Sequence, residues 1–550
     1  METSQILPFA LNPSIVSTIA KKIDKPDLQT SQLQAIFRQE FLTNEIKENA
    51  FPLRTVMSVP KNGFDFDTTT PEAMRHINVP LIYGKEDYGK AKNLIKPNIK
   101  WSRDLSTRKF ANSFIEELVI LARAYALENS ADLSKCSFVW TYPLSMKGND
   151  VNNFHREWVR YYQKYFDNSY DDEGVDEKKV KRLTESIAPY MFYRSKGIDG
   201  IMDQMSLSID IGGGTCDVVI MRSKDDYKIA SFKFAADVIF GAGNAIDNKM
   251  IQTHYDHFNK LLGGTAELKK LQQILTDACK GRDIKSTEAN SILFSLESNP
   301  ELERFKQDVS YNERLRNDGS RKIIFLYFYS SIIYYLTNLL KDYSYPQPKQ
   351  ILFSGTGSKL LNIIGTKDTM ETLTSQLIEY FSEGSYLYKN QDYLSIIIER
   401  KEPKQLTAKG ALLKDNDNVK DVASKFENPR TFSDLTLRYS TLSKDSVPFV
   451  LKYPDLNNDV IKQLIIENVE YFNELFLKLV RKLDFVQDYG CEEDSIKELE
   501  NYIHKDLEAF LNTEINDTVE FNGNDDKEFE DVLFFYPIKG VIHRLIQNIK

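Results

Sequence analysis

The chain has 550 residues, enough for two to four domains, because a single core seldom grows past about 250–300 residues. A hydrophobic share of 41%, with 29 Tyr and 33 Phe, gives more apolar area than a disordered tether carries. The net charge of -9 excludes a broad basic footprint for nucleic acid, and four scattered cysteines without a CxxC pair (Cys136, Cys216, Cys279 and Cys491) exclude a disulfide framework or thiolate zinc site.

Residues 1–50 are polar, with the amphipathic helical pieces PSIVSTIAKK and SQLQAIFRQEFL and no signal-peptide pattern at Met1. Strands are expected at Arg54–Val59 and Val79–Tyr83, around the turn-rich KNGFDFDTTTPEA. Phe114, Leu118, Leu121 and Tyr125 share one face of a helix over Phe110–Glu128. Ser137–Tyr142 reads as a short buried strand closed by Pro143, and Phe154–Phe166 as an amphipathic helix. The acidic stretch Asn168–Lys179 is a solvated loop. An antiparallel run follows at Leu207–Asp210, Val218–Met221 and Ile229–Phe234. Helices then dominate to Tyr343, broken near Asn317–Ser320, and Gln350–Phe353 is another buried strand.

The uncharged stretch Ile323–Leu340 is long enough for a membrane span, but two Ser, one Thr, one Asn and four Tyr favour a helix buried on all sides. Beyond Asp415 the chain is mostly helical, with Ile461, Ile465, Val469, Phe472, Phe476 and Leu479 at helical spacing. No repeat appears at solenoid period. Strands interleaved with helices, two of them ending in glycine turns, define an α/β fold whose ligands sit at the carboxyl ends of strands.

The first of those turns is Asp210-Ile-Gly-Gly-Gly-Thr215. Gly212, Gly213 and Gly214 let the backbone approach a ligand closely, and converging N–H groups cradle phosphate oxygens. Thr215 adds a hydroxyl. Asp210 cannot bind phosphate itself and is expected to act through Mg²⁺ or a positioned water. A β-hairpin that uses glycine for turn geometry alone needs fewer of these residues.

The string DIGGGTCDVVI resembles the second phosphate motif of the actin-like ATPase superfamily, most of all the DnaK-type heat-shock chaperones. Other segments resemble family landmarks in the family's order. SFVWTYPLS is similar to the strand that ends in a proline, here Pro143, which couples nucleotide state to domain motion. RLTESIAPYMFY resembles the helix between the lobes, which gives Glu185 the acidic role near Mg²⁺ and the attacking water. FGAGNAIDN resembles a glycine-rich turn that touches the phosphates through Gly243. ILFSGTGSKLL resembles the adenosine motif, with Gly355, Gly357 and Ser358 against base and ribose; LTAKGALLK resembles the closing helix, with Gly410 at its close-packed position. RTVMSVP and VPLIYGKEDYGKA look like the strand pair of the first lobe.

The resemblance implies two lobes with ribonuclease-H-like cores over about Phe51–Lys414. Residues 51–190 would form the first lobe and 191–414 the second, flanked by a helical segment 1–50 and a helical region 415–550. It also implies ATP or ADP with Mg²⁺ at Asp210, and a first-lobe lysine as catalytic cation, either Lys96 or Lys100, with Lys100 preferred. Lys269, Lys270 and Arg314 are candidates for the adenine clamp. The first phosphate motif is missing: residues 1–50 contain no glycine, and Gly63–Thr69 has Asp67 where glycine is needed. Either a preceding segment supplies that turn or the site is degenerate. His254 and His257 have metal-like spacing without a third ligand and read as a helix surface. The expected function is a cytoplasmic ATP-driven conformational switch acting on a protein partner, without nucleic acid or membrane. A polymerising actin-like filament and a non-catalytic scaffold stand as alternatives, with a small-molecule kinase behind them.

Overall fold

In the computed structural model the described residues are 54–58, 72–81, 95–96, 99, 105–143, 146, 148–167, 179–195, 205–222, 227–240, 310–388, 394–398, 403–413, 453–522 and 531–549. The strands are β1 (Arg54–Ser58), β2 (Ile77–Leu81), β3 (Ile95–Lys96), β4 (Phe138–Tyr142), β5 (Val180–Thr184), β6 (Ser206–Ile211), β7 (Cys216–Met221), β8 (Tyr227–Phe232), β9 (Gln350–Ser354) and β10 (Ser395–Ile398). The main helices are α1 (Leu105–Glu128), α2 (Gly148–Tyr162), α3 (Ile187–Ser195), α4 (Gly319–Asp342), α5 (Lys367–Phe381), α6 (Pro403–Ala411), α7 (Asp459–Lys482), α8 (Glu493–Tyr502), α9 (Leu507–Asn522) and α10 (Phe535–Asn548). Short helices lie at Glu72–Arg75, Asp237–Phe240 and Tyr311–Arg316.

Five strands form the sheet that positions the site, in the order β10-β9-β6-β7-β8. β6, β7 and β8 run antiparallel, whereas β9 is parallel to β6 and β10 to β9. From β6 the chain builds outward to one side and later returns on the other. That reversal makes the carboxyl ends of β6 and β9 a topological switch point, where open α/β sheets hold ligands. Alternation along the strands buries both faces. Leu207, Ile209, Ile211, Val218 and Ile220 share a core with α4 and α5. Val219, Met221, Ile229 and Leu352 pack with α3 and α6 on the opposite side. The result is a three-layer arrangement.

α4 is the one helix among the described residues long and apolar enough to cross a membrane, and its apolar window is 100% buried within the protein. Apart from the buried Ser330 hydroxyl, which has no hydrogen-bond partner among the described residues, its buried polar groups find internal partners. Ser331, Thr337 and Asn338 donate to the carbonyls of Phe328, Ile333 and Tyr334. Tyr327 donates to Asn473 at 2.7 Å and Tyr334 to Asn468 at 3.2 Å, tying α4 to α7. Phe472, Phe476 and Phe535 then join the same core, so the described C-terminal helices and the sheet share one hydrophobic centre.

His543 on α10 titrates down to about 4, mainly because burial disfavours the cation and then because Lys539 lies nearby. The unfolded chain takes up this proton near the ordinary 6.5, the folded protein only near 4. Between those values the unfolded state binds more protons, so stability present above pH 6.5 is lost as pH falls through the window. His543→Gln is expected to flatten that part of the profile, measured by urea midpoints at steps of pH.

The N-terminal half contains the antiparallel sheet β2-β1-β3 and the parallel pair β4–β5. α1, α2 and the turn Gln163–Asp167 surround β4. Within this layer the buried Glu116 carboxylate accepts from the Ala73 N–H at 2.9 Å, Lys164 at 2.9 Å and Tyr165 at 2.6 Å, which compensates its desolvation. One element departs from expectation. Val180–Thr184, expected to enter a helix from Arg182, is a strand paired in parallel with β4, and the helix begins only at Ile187. The ladder to a strand distant in sequence overrides a weak local pattern.

Candidate functional site

β6 and β7 are joined by a four-residue loop, Gly212–Thr215, with Ile211 opposite Cys216. The Gly212 N–H donates to the Thr215 carbonyl at 2.9 Å and closes the turn, so this N–H does not point to a ligand as the sequence reading expects. The N–H groups of Gly213, Gly214 and Thr215 carry no hydrogen bond to another described residue. On the carbonyl side, Ala236 N–H donates to Gly212 at 3.3 Å and Asp237 N–H to Gly213 at 2.8 Å. The turn is therefore held from one side with amides available on the other.

The second glycine turn packs directly on the first. β9 lies in register beside β6, with Ser354 opposite Asp210, and Ser354 Oγ donates to Asp210 Oδ2 at 3.0 Å. Gly355 has φ +83, and a Cβ there would lie 2.4 Å from Asp210 Oδ1 and 2.4 Å from the Ile211 carbonyl oxygen. A Cβ on Gly357 would lie 2.3 Å from the Gly212 carbonyl oxygen. The glycines of one turn thus allow the close approach of the other. Ser358 is fully buried, and its hydroxyl donates to the Gly355 carbonyl at 2.7 Å, which shapes this turn.

Two acidic residues near the turn are missing from the sequence-derived set. Asp217 is buried and sits opposite Asp210 across the β6–β7 pair. Directly opposed side chains have Cβ atoms about 4.5–5.5 Å apart, where like charges repel. Asp237 is exposed, with its carboxylate 3.1 Å from where a Cβ on Gly213 would lie. The four-residue hairpin loop holds the signal for Asp217, since it fixes the register. Asp237 becomes visible only once its segment folds back on the turn. Burial first, then the charges of Asp217 and Asp210, push the Cys216 thiol well above its usual range, so it is no nucleophile at neutral pH.

Glu185 follows β5 in the turn before α3, and its N–H donates to the Tyr142 carbonyl at 2.9 Å. It stands beside the carboxyl end of β4, where Pro143 is buried. α3 continues onto the sheet face occupied by Val219 and Leu352. Lys96 lies in β3 and Arg314 in the helix Tyr311–Arg316. Lys100, Gly243, Gly63–Thr69, His254, His257, Lys269 and Lys270 lie outside the described residues. Among the described residues no group of three or more His, Cys, Asp or Glu side chains is arranged to hold a metal. A site of one or two carboxylates suits Mg²⁺, which keeps several waters and takes its remaining ligands from substrate phosphates. The Asp210–Asp217 pair beside the turn fits that description.

No protein-family model matches the sequence, and no curated protein matches it. Among solved structures the chain is similar to MreB5 of Spiroplasma citri bound to ADP, at 12% identity, covering 68% of this chain and 91% of that one, with a TM-score of 0.27. At that score the similarity adds nothing to what the site's own geometry carries.

Proposed function

We propose that the paired glycine turns bind the phosphates and adenosine of ATP or ADP, and that the chain is an actin-like, two-lobed nucleotide-dependent switch. The observation that carries this reading is the interlock of the two turns at the carboxyl ends of adjacent parallel strands. A hairpin serving the fold alone has no need of a second glycine turn at the switch point. The strand order β8-β7-β6-β9-β10, antiparallel on one side of β6 and parallel on the other, agrees with the ribonuclease-H-like core that the motifs imply.

In this reading the N–H groups of Gly213, Gly214 and Thr215 hold phosphate oxygens, and Gly355 and Gly357 pass beneath the nucleoside. Asp210 and Asp217 hold Mg²⁺, which when bound neutralises charge on the phosphates. Glu185 and Asp210 orient the attacking water. Closure around the nucleotide then acts on a protein partner. ATP-dependent sedimentation of the chain alone would identify that partner as a second copy.

Asp210→Ala is expected to lower Mg²⁺-dependent ATP turnover roughly 10²-fold or more while leaving adenosine binding unchanged, read by phosphate release and calorimetry. Turnover at the unsubstituted rate sinks the assignment of Asp210.

A further inference from the structure

The segment Lys233–Asp237 is a strap between the glycine turn and the C-terminal helices. At one end Ala236 and Asp237 donate to the carbonyls of Gly212 and Gly213, at 3.3 and 2.8 Å. In a planar trans peptide the carbonyl and the following N–H point in opposite directions. Fixing the Gly212 carbonyl toward the strap therefore aims the Gly213 N–H away from it, and fixing the Gly213 carbonyl does the same for Gly214. These are two of the amides available to a phosphate.

At its other end the strap is held by residues just before and within α10. The buried carboxylate of Asp531 accepts from the Lys233 N–H at 3.3 Å and from Val532 N–H at 2.9 Å. Its second oxygen accepts from Tyr536 at 3.1 Å and lies 3.9 Å from the Lys233 ammonium. The Phe535 ring stacks on Phe232 and Phe234, with centroids 4.7 and 4.4 Å apart. Both ends of the strap are thus specified, one by the turn and one by the C-terminal region.

We propose that Asp531 is a positioning residue for phosphate binding: through the strap it holds the Gly213 and Gly214 amides in their ligand-facing orientation. This rests on the reading of the turn as a phosphate cradle. It gives the C-terminal helical region a part in the nucleotide site that no motif in that region announces. The residue touches no ligand and acts only through Lys233–Asp237.

The test compares the full chain with Asp531→Ala and Asp531→Asn, by amide hydrogen exchange without ligand and by calorimetry with ADP and adenosine. Loss of the acceptor should raise exchange roughly fivefold at the bonded amides of Gly212, Ala236 and Asp237 and weaken ADP roughly fivefold, with adenosine unaffected. Asp531→Asn keeps one oxygen to accept from the Lys233 and Val532 N–H groups, losing only the acceptor for Tyr536 and the charge facing the Lys233 ammonium, and should restore both. If Asp531→Ala does not fold, Phe535→Leu loosens the same anchor and is read identically. A folded variant whose turn exchanges as in the unsubstituted protein overturns the proposal. Unsubstituted protein that binds no ADP overturns the phosphate reading instead, and exchange still decides whether Asp531 holds the turn.

Discussion

Replacing Gly355 by alanine is expected to abolish nucleotide binding and to destabilise the fold by about 3 kcal/mol. Two effects add. At φ 83 and ψ 157 the backbone occupies a region essentially confined to glycine, costing roughly 1–3 kcal/mol for any other residue. The new methyl group would also meet Asp210 Oδ1 and the Ile211 carbonyl oxygen, each at 2.4 Å. The carbonyl belongs to the central strand, so it cannot swing away as a side-chain end does. Relief requires β9 to part from β6, which separates the two turns. Gly384 provides the control, with φ +80 and nothing within 4 Å of its added Cβ. Gly384→Ala should show only the conformational cost, about 1 kcal/mol, with binding intact. Urea midpoints together with calorimetry separate the two cases.

The second large effect is expected at Gly410. A Cβ there would lie 1.7 Å from the Ala188 carbonyl oxygen, where α6 crosses α3 backbone to backbone. Ala188 is itself small and fully buried, so trimming the opposite side chain offers no relief. Gly410→Ala should force the helices apart and destabilise by about 3 kcal/mol, within the range of overpacked cores. The damage reaches beyond α6. α3 begins two residues after Glu185, and its residues Ile187, Ala188 and Met191 pack with Val219 and Leu352 of the sheet. A displaced α3 therefore moves Glu185 relative to the sheet that carries Asp210. Chemical denaturation reads the stability loss, and turnover of the surviving folded fraction reads the displacement.

Much of the second half of the fold is legible in sequence because local pattern and tertiary environment agree there. The alternation of Leu207, Ile209 and Ile211 marks β6, and the uncharged run Ile323–Leu340 marks a helix buried on every side. Helical spacing from Ile461 to Leu479 does the same for α7. The strand β5 is not legible, since Val180–Thr184 mixes charged and apolar residues and becomes a strand only through its ladder with β4. At the site, the glycine turns can be read as separate motifs, but their interlock depends on β6 and β9 becoming neighbours across a long intervening stretch. The role of Asp237 has the same origin: it follows β8 in sequence, yet it meets Gly213 only through the strap that Asp531 and Phe535 anchor.

The most direct test of the central claim is the thermal stability of the full chain with and without ADP and Mg²⁺. If the interlocked turns form a nucleotide site, ADP at a hundred times its dissociation constant adds about 2.7 kcal/mol. The midpoint should then rise with ADP concentration, and the rise should vanish in Gly355→Ala and persist in Gly384→Ala. A midpoint unmoved by millimolar ADP with Mg²⁺, or raised equally in Gly355→Ala, would contradict it.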